Sequence, residues 1–331
     1  MPAVMRRTMA AVLIAGIVAL LPLPAWAGSC CGGGSAAGLV LPKFAQSMID
    51  MSFDVERYNG FWNQDGDYLH DPPGTDLRQY RLNLGYAQRL AKRWQATASV
   101  PYIWNDTTYS GLSSRTSGIG DMALGVWYEA FDATVCRLGW DDLSFRDLAP
   151  AATFGLALTV PTGISPYDNV NSSFDITGRG FYRLDANMLL DKTIIPFGVS
   201  FLMSYGKAFE RPVDREYGQY VQPYRKQLGD RATGSLAVSY IQYLDIGSSR
   251  RILTYTAAFS EVWEGESRIN GSADPTSGFR KSSVTGTFAF STLDRCWTVK
   301  ASWNHSITSD GWGSNFPLSD IYSLGVSRAF E

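Results

Sequence analysis

Apolar and polar residues alternate along most of this chain, in segments of about ten residues that are bounded by turn-forming stretches. Because successive side chains of a β-strand point to opposite faces, such alternation predicts strands with one apolar face. In one segment the apolar residues oppose polar or small ones: Tyr80, Leu82, Leu84 and Tyr86 against Arg81, Asn83, Gly85 and Ala87. The pattern predicts twelve strands, at 51–58, 79–88, 94–104, 120–131, 152–161, 181–190, 197–209, 234–243, 253–263, 283–290, 296–305 and 321–330.

The lengths of these strands and of their connections distinguish a membrane barrel from a soluble β-sandwich, whose strands also alternate. Segments of about ten residues suit a tilted strand that crosses a bilayer, whereas strands in soluble proteins average about five or six. Short connections, at 89–93, 191–195, 245–251 and 291–295, alternate with long ones, at 59–77, 105–119, 162–180, 210–233 and 264–282. Short periplasmic turns and long external loops produce this alternation, although the connection at 132–150 is long on the predicted periplasmic side.

Aromatic residues recur near the predicted strand ends, where the two interfaces of a membrane place them: Tyr58, Tyr80, Trp94, Trp104, Tyr128, Tyr182, Trp263 and Trp297. No segment downstream of the N-terminus is apolar for long enough to span a bilayer as a helix. We therefore expect an all-β protein, a transmembrane antiparallel up-and-down β-barrel of about twelve strands that occupies residues 46–331.

The last predicted strand carries a resemblance of its own. Tyr322, Leu324, Val326 and Phe330 share its apolar face, which Arg328 interrupts. A final strand with this alternation and an aromatic end resembles the terminal assembly strand of bacterial outer-membrane barrels, although Glu331 follows the usual terminal Phe. The resemblance implies the barrel-assembly machinery, outer-membrane lipid and lipopolysaccharide as partners, and the cell outer membrane of a Gram-negative bacterium as the location.

The N-terminus resembles a secretory signal. Residues 1–27 combine a basic start at Arg6 and Arg7, an apolar run at 9–23 and a small-x-small site at 25–27. We therefore expect Sec-type export and a mature chain that begins near Gly28. Residues 28–45 form a Cys- and Gly-rich lead that is a candidate for a partial plug.

The overall composition agrees with a barrel and argues against one class of partner. Apolar residues make up 45% of the chain and the mean hydropathy is −0.11, as expected when lipid-facing and lumen-facing residues alternate. The net charge of −2 lacks the basic excess of nucleic-acid-binding proteins. We expect no nucleic-acid partner.

Three segments in the middle of the chain resemble one family of barrels. They are 100–102 (Val-Pro-Tyr), 118–128 (Gly-Ile-Gly-Asp-Met-Ala-Leu-Gly-Val-Trp-Tyr) and 155–163 (Gly-Leu-Ala-Leu-Thr-Val-Pro-Thr-Gly). Together they look like the outer-membrane transporter-like barrels named after a phenol-degradation (meta) pathway. The resemblance implies a porin-like channel or transporter for a small solute, often a hydrophobic or aromatic one, and it identifies no particular solute.

Polar and charged residues of both signs fall on the face predicted to line the barrel lumen: Asp54, Glu56, Arg81, Asn83, Gln95, Asp121, Glu129, Arg183, Asp185, Asn187 and Lys300. Charges in a membrane-spanning strand are costly on the lipid side and tolerated inside. They either line a narrow polar path or form a structural network of ion pairs. Three inward apolar residues, Trp127, Phe181 and Leu202, are expected to fill part of the interior.

The four cysteines are candidates for a metal site or for disulfides. Cys30 and Cys31 precede a glycine run and could bind a soft metal, or pair with Cys136 or Cys296 at the periplasmic mouth. Cys30 and Cys31 lack the separated CxxC and His spacing of a strong zinc site, and we expect no other cofactor.

Catalysis is the competing interpretation. His70 lies in an acidic loop with Asp65, Asp67 and Asp71, and His305 lies beside Ser306 near Asp310, so either could belong to an outer-membrane enzyme. Solvated or interfacial polar residues are the simpler explanation, and we expect no enzymatic activity. A structural sheath around a partner such as a cytochrome is a further alternative, and co-purified haem would support it.

Overall fold

The computed structural model describes residues 39–43, 45–109, 111–131, 136–138, 145–170, 175–246, 249–292 and 296–331. Twelve long strands form a single antiparallel sheet in which each strand pairs with its neighbours in sequence. The last strand pairs with the first from Ser47 opposite Phe330 to Trp62 opposite Phe316, which closes the sheet into a barrel. The predicted fold class is confirmed.

We number the barrel strands β1 to β12 in chain order. They are β1 Ser47–Trp62, β2 Asp76–Ala91, β3 Trp94–Tyr109, β4 Met122–Phe131, β5 Ala151–Val160, β6 Arg183–Ile195, β7 Phe197–Ala208, β8 Arg231–Ile246, β9 Ser249–Glu264, β10 Phe279–Thr292, β11 Trp297–Ser306 and β12 Phe316–Phe330. Each predicted strand corresponds to one of these. Several are longer than predicted, because they continue beyond the apolar pattern at one or both ends of the barrel.

The two faces of the barrel differ as the alternation requires. Large apolar side chains cover the outside, where Leu156 and Leu324 remain 57% and 61% exposed. Exposed apolar side chains in a closed band are stable only against lipid, so this face is the membrane-facing one. The inside carries small, polar and charged residues. We call the end with the short turns and the first residues of β1 the periplasmic end, and the opposite end the extracellular end.

The long connections contain structure of their own. Leu112–Ile119 extends the wall by pairing with the outer part of β3. Arg211–Glu216 and Gln219–Gln227 form a hairpin that joins Ser267–Ile269 and Ser272–Asp274 in a separate four-stranded sheet at the extracellular end. The remaining short elements are Tyr68–Leu69 beside β1, Gly313–Ser314 beside β10, Cys136–Leu138 parallel to the end of β6, and the 3-10 helix Phe145–Leu148. Among the described residues, no helix is long and apolar enough to cross a membrane.

Candidate functional site: the barrel lumen

All eleven residues predicted to line the lumen lie on the inner face, and most are paired with one another or with further charged residues. Near the extracellular end, Glu56 accepts hydrogen bonds from Arg81 at 2.5 Å and from Ser319 at 2.7 Å. Lys281 donates to the same Ser319 hydroxyl at 3.1 Å. The inner wall between β10 and β2 therefore carries one continuous network that contains both signs of charge.

A second set of contacts lies deeper in the lumen. Lys300 on β11 reaches Asp50 on β1 at 2.9 Å, although β12 lies between these strands. It passes over Gly325, where an added Cβ would lie 2.7 Å from the Lys300 Cε atom. A larger residue at position 325 would therefore displace the Lys300 side chain from this path. Nearby, Asn83 donates to Asp54 at 2.7 Å.

On the opposite wall, Arg183 pairs with Asp185 at 2.9 Å, and Asn187 follows one step deeper on the same face of β6. Asp185 is buried. Arg183 therefore compensates the charge of Asp185 within the same strand. Leu202 lies beside it, buried on the inner face of β7.

The segment before β1 folds into the periplasmic half of the lumen. The backbone amide of Leu41 donates to the Gln95 side chain at 2.6 Å, and Leu41 and Ala45 pack in a buried cluster with Ala87 and Ala329. The Arg89 guanidinium holds the segment through the carbonyls of residues 42 and 45. It also pairs with Glu129 at 2.9 Å. The inner walls of β12, β1, β2 and β3 are therefore covered at this end.

Trp127 fills the lumen next to that segment. Its ring is 3% exposed and lies flat over Gly155 on the adjacent strand, where an added Cβ would come within 2.5 Å of the indole. Gly125, two residues away on β4, is close to the indole nitrogen. Small residues on both strands thus allow a large aromatic side chain to lie against the wall, which narrows the β4 side of the interior.

The connection from β5 to β6, residues 161–182, crosses the extracellular mouth. At one end Asp121 accepts hydrogen bonds from the backbone amides of Gly163 at 3.1 Å and Arg179 at 2.7 Å. The side chain of the same Arg179 points toward β9, where its guanidinium donates two hydrogen bonds of 2.6 Å to Glu264. Arg231 pairs with the same carboxylate at 2.9 Å. We call residues 161–182 the crossing loop, because they link β4 to β9 across nearly half the circumference.

Additional contacts hold the crossing loop against the wall. Asn105 on β3 donates to the carbonyl of Ile176 at 2.9 Å, and Thr177 donates to the carbonyl of Ile119 at 2.8 Å. Ser114 donates to Asp175. The loop is thus fixed to β3 and its extension by several hydrogen bonds, and to β9 by one ionic contact.

The wall from β7 to β12 is different, since it carries small hydroxyl and amide side chains that are half-exposed toward the interior. We call this set the hydroxyl arc: Ser204, Ser235, Ser260, Thr285, Thr287, Ser302, Asn304 and Ser323. Some of these groups bond to one another, as Ser260 does to Ser235 at 2.8 Å. Inward side chains that remain partly accessible in a closed barrel border open space. The lumen is therefore open beside this arc.

Two aromatic residues of the crossing loop, Tyr167 and Phe181, form a cluster with basic residues of the loop at 210–233. Arg211 stacks over the rings of Tyr167 and Phe181, with its guanidinium carbon 4.9 Å and 5.8 Å from the ring centres. Burial raises the pKa of Tyr167 to about 12. Lys226 approaches the other side of the Tyr167 ring at 5.8 Å. The loop at 210–233 supplies two of these four groups, Arg211 and Lys226.

The remaining candidate residues do not assemble into a catalytic or metal site. His305 and Ser306 are adjacent in β11 and so point to opposite faces: His305 pairs with Asp320 at 2.8 Å outside, while Ser306 is buried. His70 contacts the ring of Tyr68. Within the described ranges, no three His, Cys, Asp or Glu side chains form a metal-binding group.

The cysteine predictions stay open. Cys30 and Cys31 lie outside the described residues, and only the backbone of Cys136 is described. Cys296 is half-buried at the periplasmic end, where its carbonyl accepts a hydrogen bond from the amide of Ala329 at 2.8 Å.

Several charged groups of the lumen were missed by the sequence pattern. Asp50, Arg231, Glu264 and Lys281 each lie one to three residues beyond a predicted strand end. Their strands could have been extended by continuing the alternation on the inner face alone. Arg179 lies in a loop without periodicity, so no sequence signal marked it.

Comparison with known proteins shows the fold. No protein-family model matches the sequence, and no curated protein matches it significantly. An outer membrane channel from Pseudomonas putida F1 superposes with a TM-score of 0.64 at 14% identity, covering 90% of this chain and 99% of that one. The β-domain of the Bordetella autotransporter BrkA (TM-score 0.46, 12% identity, 86% and 100% coverage) and a Pseudomonas aeruginosa FadL homologue (0.37, 9%, 86% and 91%) are more distant. At these identities the likeness extends to the barrel architecture alone.

Proposed function

We propose that this protein is an outer-membrane channel for a small, uncharged, hydrogen-bonding solute. The observation that carries the proposal is the hydroxyl arc, which leaves the open part of the lumen lined by groups that donate and accept hydrogen bonds. Ion pairs compensate most of the charges around it. A neutral solute that exchanges water contacts for hydroxyl contacts meets a low barrier along such a wall.

Two obstructions define the path. The crossing loop covers the extracellular mouth from β4 to β9, and residues 39–46 cover the periplasmic half from β12 to β3. In this proposal the solute passes along the hydroxyl arc, between these two obstructions. In this proposal residues 28–45 act as a partial plug of the mature chain, after export and removal of residues 1–27.

A hydrophobic or aromatic solute is the second candidate, and it would agree with the resemblance to the phenol-degradation family of barrels. The supporting observation is the cluster of Tyr167, Phe181 and Arg211 at the extracellular mouth, since aromatic rings beside a cation suit an aromatic ligand. The hydroxyl arc deeper in the lumen favours the polar solute, because its side chains donate and accept hydrogen bonds that an aromatic ring would leave unmade.

Liposome swelling tests these alternatives. Purified, folded barrel is reconstituted and challenged with small polyols, with phenol-type aromatics and with charged solutes of similar size. We expect polyols to enter fastest, and Ser260→Trp to slow them because it narrows the arc. Ala257→Trp is the matched control, since Ala257 lies on the same strand and faces outward. Faster entry of aromatics than polyols would favour the second candidate. Absence of uptake of every solute would contradict a channel and favour an enzyme or a sheath.

A further inference from the structure

Two arginines face each other on the outside of the barrel near its extracellular end. Arg57 on β1 lies directly opposite Arg78 on β2, and the outward pair two residues below them is Val55 and Tyr80. Arg57 is exposed, and among the described residues it has no ion-pair partner. Like charges placed directly opposite each other on neighbouring strands repel. This pair therefore favours an anion between or beside the two guanidinium groups.

The nearby carboxylates are engaged elsewhere. Asp320 faces Arg57 in register on β12, but its two oxygens accept hydrogen bonds from Asn59 at 2.6 Å, Trp303 at 2.9 Å and His305 at 2.8 Å. No described contact joins Asp320 to Arg57.

The carboxylates on the Arg78 side leave part of that guanidinium available. Asp76 accepts hydrogen bonds from the Nε and Nη2 groups of Arg78, at 2.8 and 2.7 Å, and Tyr80 is a further side-chain partner. A guanidinium has five N–H donors, so some of them remain for another acceptor. Asp106 faces Arg78 in register on β3, yet pairs with Arg115 at 3.1 Å.

The position of the pair indicates which anion is available. Below it on β1 to β3 lies an aromatic belt, in which Phe53 stacks on Tyr80 at 6.3 Å and Tyr102 contacts Trp104 at 4.6 Å. Aromatic belts mark the level of the lipid headgroups. Arginine binds phosphate through a planar fork of donors, better than a lysine does. In the outer leaflet of an outer membrane the phosphate at this level belongs to lipopolysaccharide.

We propose that Arg57 and Arg78 form a binding site for a phosphate group of the lipid A headgroup, with Arg57 as the main contact. The site lies on the lipid-facing surface and is separate from the lumen. It depends on the orientation of the barrel, with its long loops outside the cell, and does not depend on which solute passes.

Native mass spectrometry of the detergent-solubilised barrel, titrated with purified lipid A, tests the site. We expect the double variant Arg57→Ala/Arg78→Ala to bind lipid A about tenfold or more weakly than the wild type, because charge-assisted contacts to phosphate are lost. The control is Arg280→Ala, since Arg280 is also outward-facing at the extracellular end and is paired with Glu261 at 2.5 Å. It should bind like the wild type. Heat-modifiability on gels confirms that each variant is folded.

Two further ligands identify the phosphate and its source. Lipid A from which the phosphates have been removed should bind the wild type as weakly as phosphorylated lipid A binds the double variant. Phosphatidylglycerol should bind more weakly than lipid A. Equal binding of lipid A by the wild type and a folded double variant would overturn the proposal, as would equal binding of the dephosphorylated lipid. Tighter binding of phosphatidylglycerol would refute lipid A as the ligand.

Discussion

Replacing Arg179 by Ala should loosen the crossing loop and enlarge the extracellular mouth. The Arg179 guanidinium makes the only described contact of this loop with β9, two hydrogen bonds of 2.6 Å to Glu264. Hydrogen bonds to charged groups contribute about 1.5–3 kcal/mol each. Because the Arg179 side chain is 39% exposed, solvent screening reduces the whole contact to about 1–2 kcal/mol. Glu264 keeps Arg231 as a partner at 2.9 Å, so the variant leaves no buried charge unpaired.

A loss of about 1–2 kcal/mol corresponds to a change of about 5- to 30-fold in the ratio of detached to attached loop. Single-channel recording in planar bilayers measures this ratio as the occupancy of a higher-conductance state. The matched control is Arg225→Ala, which removes an exposed ion pair with Glu210 on the extracellular hairpin. We expect Arg225→Ala to behave like the wild type. If folded Arg179→Ala showed the wild-type conductance and state occupancy, the contact would not restrain the mouth.

Three further predictions concern stability and titration. Gly155→Val should lower the stability of the folded barrel by about 1–3 kcal/mol, because the valine side chain would overlap the Trp127 ring. Urea unfolding followed by tryptophan fluorescence measures this stability. An unchanged stability would contradict the close approach of Trp127 to residue 155. Arg89→Ala should cost about 3–5 kcal/mol in the same assay, since it leaves the buried Glu129 carboxylate unpaired, and Arg89→Ala/Glu129→Gln should recover part of the loss. Tyr167→Phe should remove one tyrosinate transition near pH 12 from the ultraviolet titration, because burial raises the pKa of Tyr167 to about 12; loss of a transition near pH 10 would indicate an exposed ring.

The barrel fold could be predicted from the sequence, because the strands follow one rule over their whole membrane-spanning length. Apolar residues face lipid and other residues face inward, so a period of two identifies both the strand and its orientation. The rule fails above the membrane, where both faces meet water. For this reason β8 and β9 continue beyond the predicted ends at the extracellular side, and Arg231 and Glu264 were missed. Asp50 was missed at the periplasmic end of β1, which also continues beyond the predicted strand.

The constrictions of the lumen could not be predicted in the same way. Arg179 reaches Glu264 over 85 residues of sequence, and Leu41 reaches Gln95 over 54. Such contacts depend on how a loop or a terminal segment folds back into the barrel, which has no periodic signature. Trp127 was expected inside, but the flat placement that Gly155 permits depends on the register between β4 and β5.

The most direct test of the channel is chemical modification along the hydroxyl arc. In a variant whose four cysteines are replaced by Ser, Ser302→Cys places a thiol on the inner face of β11 and Ala301→Cys places one on the outer face. Single-channel conductance is recorded before and after a bulky, membrane-impermeant thiol reagent is added at the extracellular side. The account predicts a marked fall in conductance for Ser302→Cys and no change for Ala301→Cys. Unchanged conductance after confirmed modification at residue 302 would contradict a solute path along this wall.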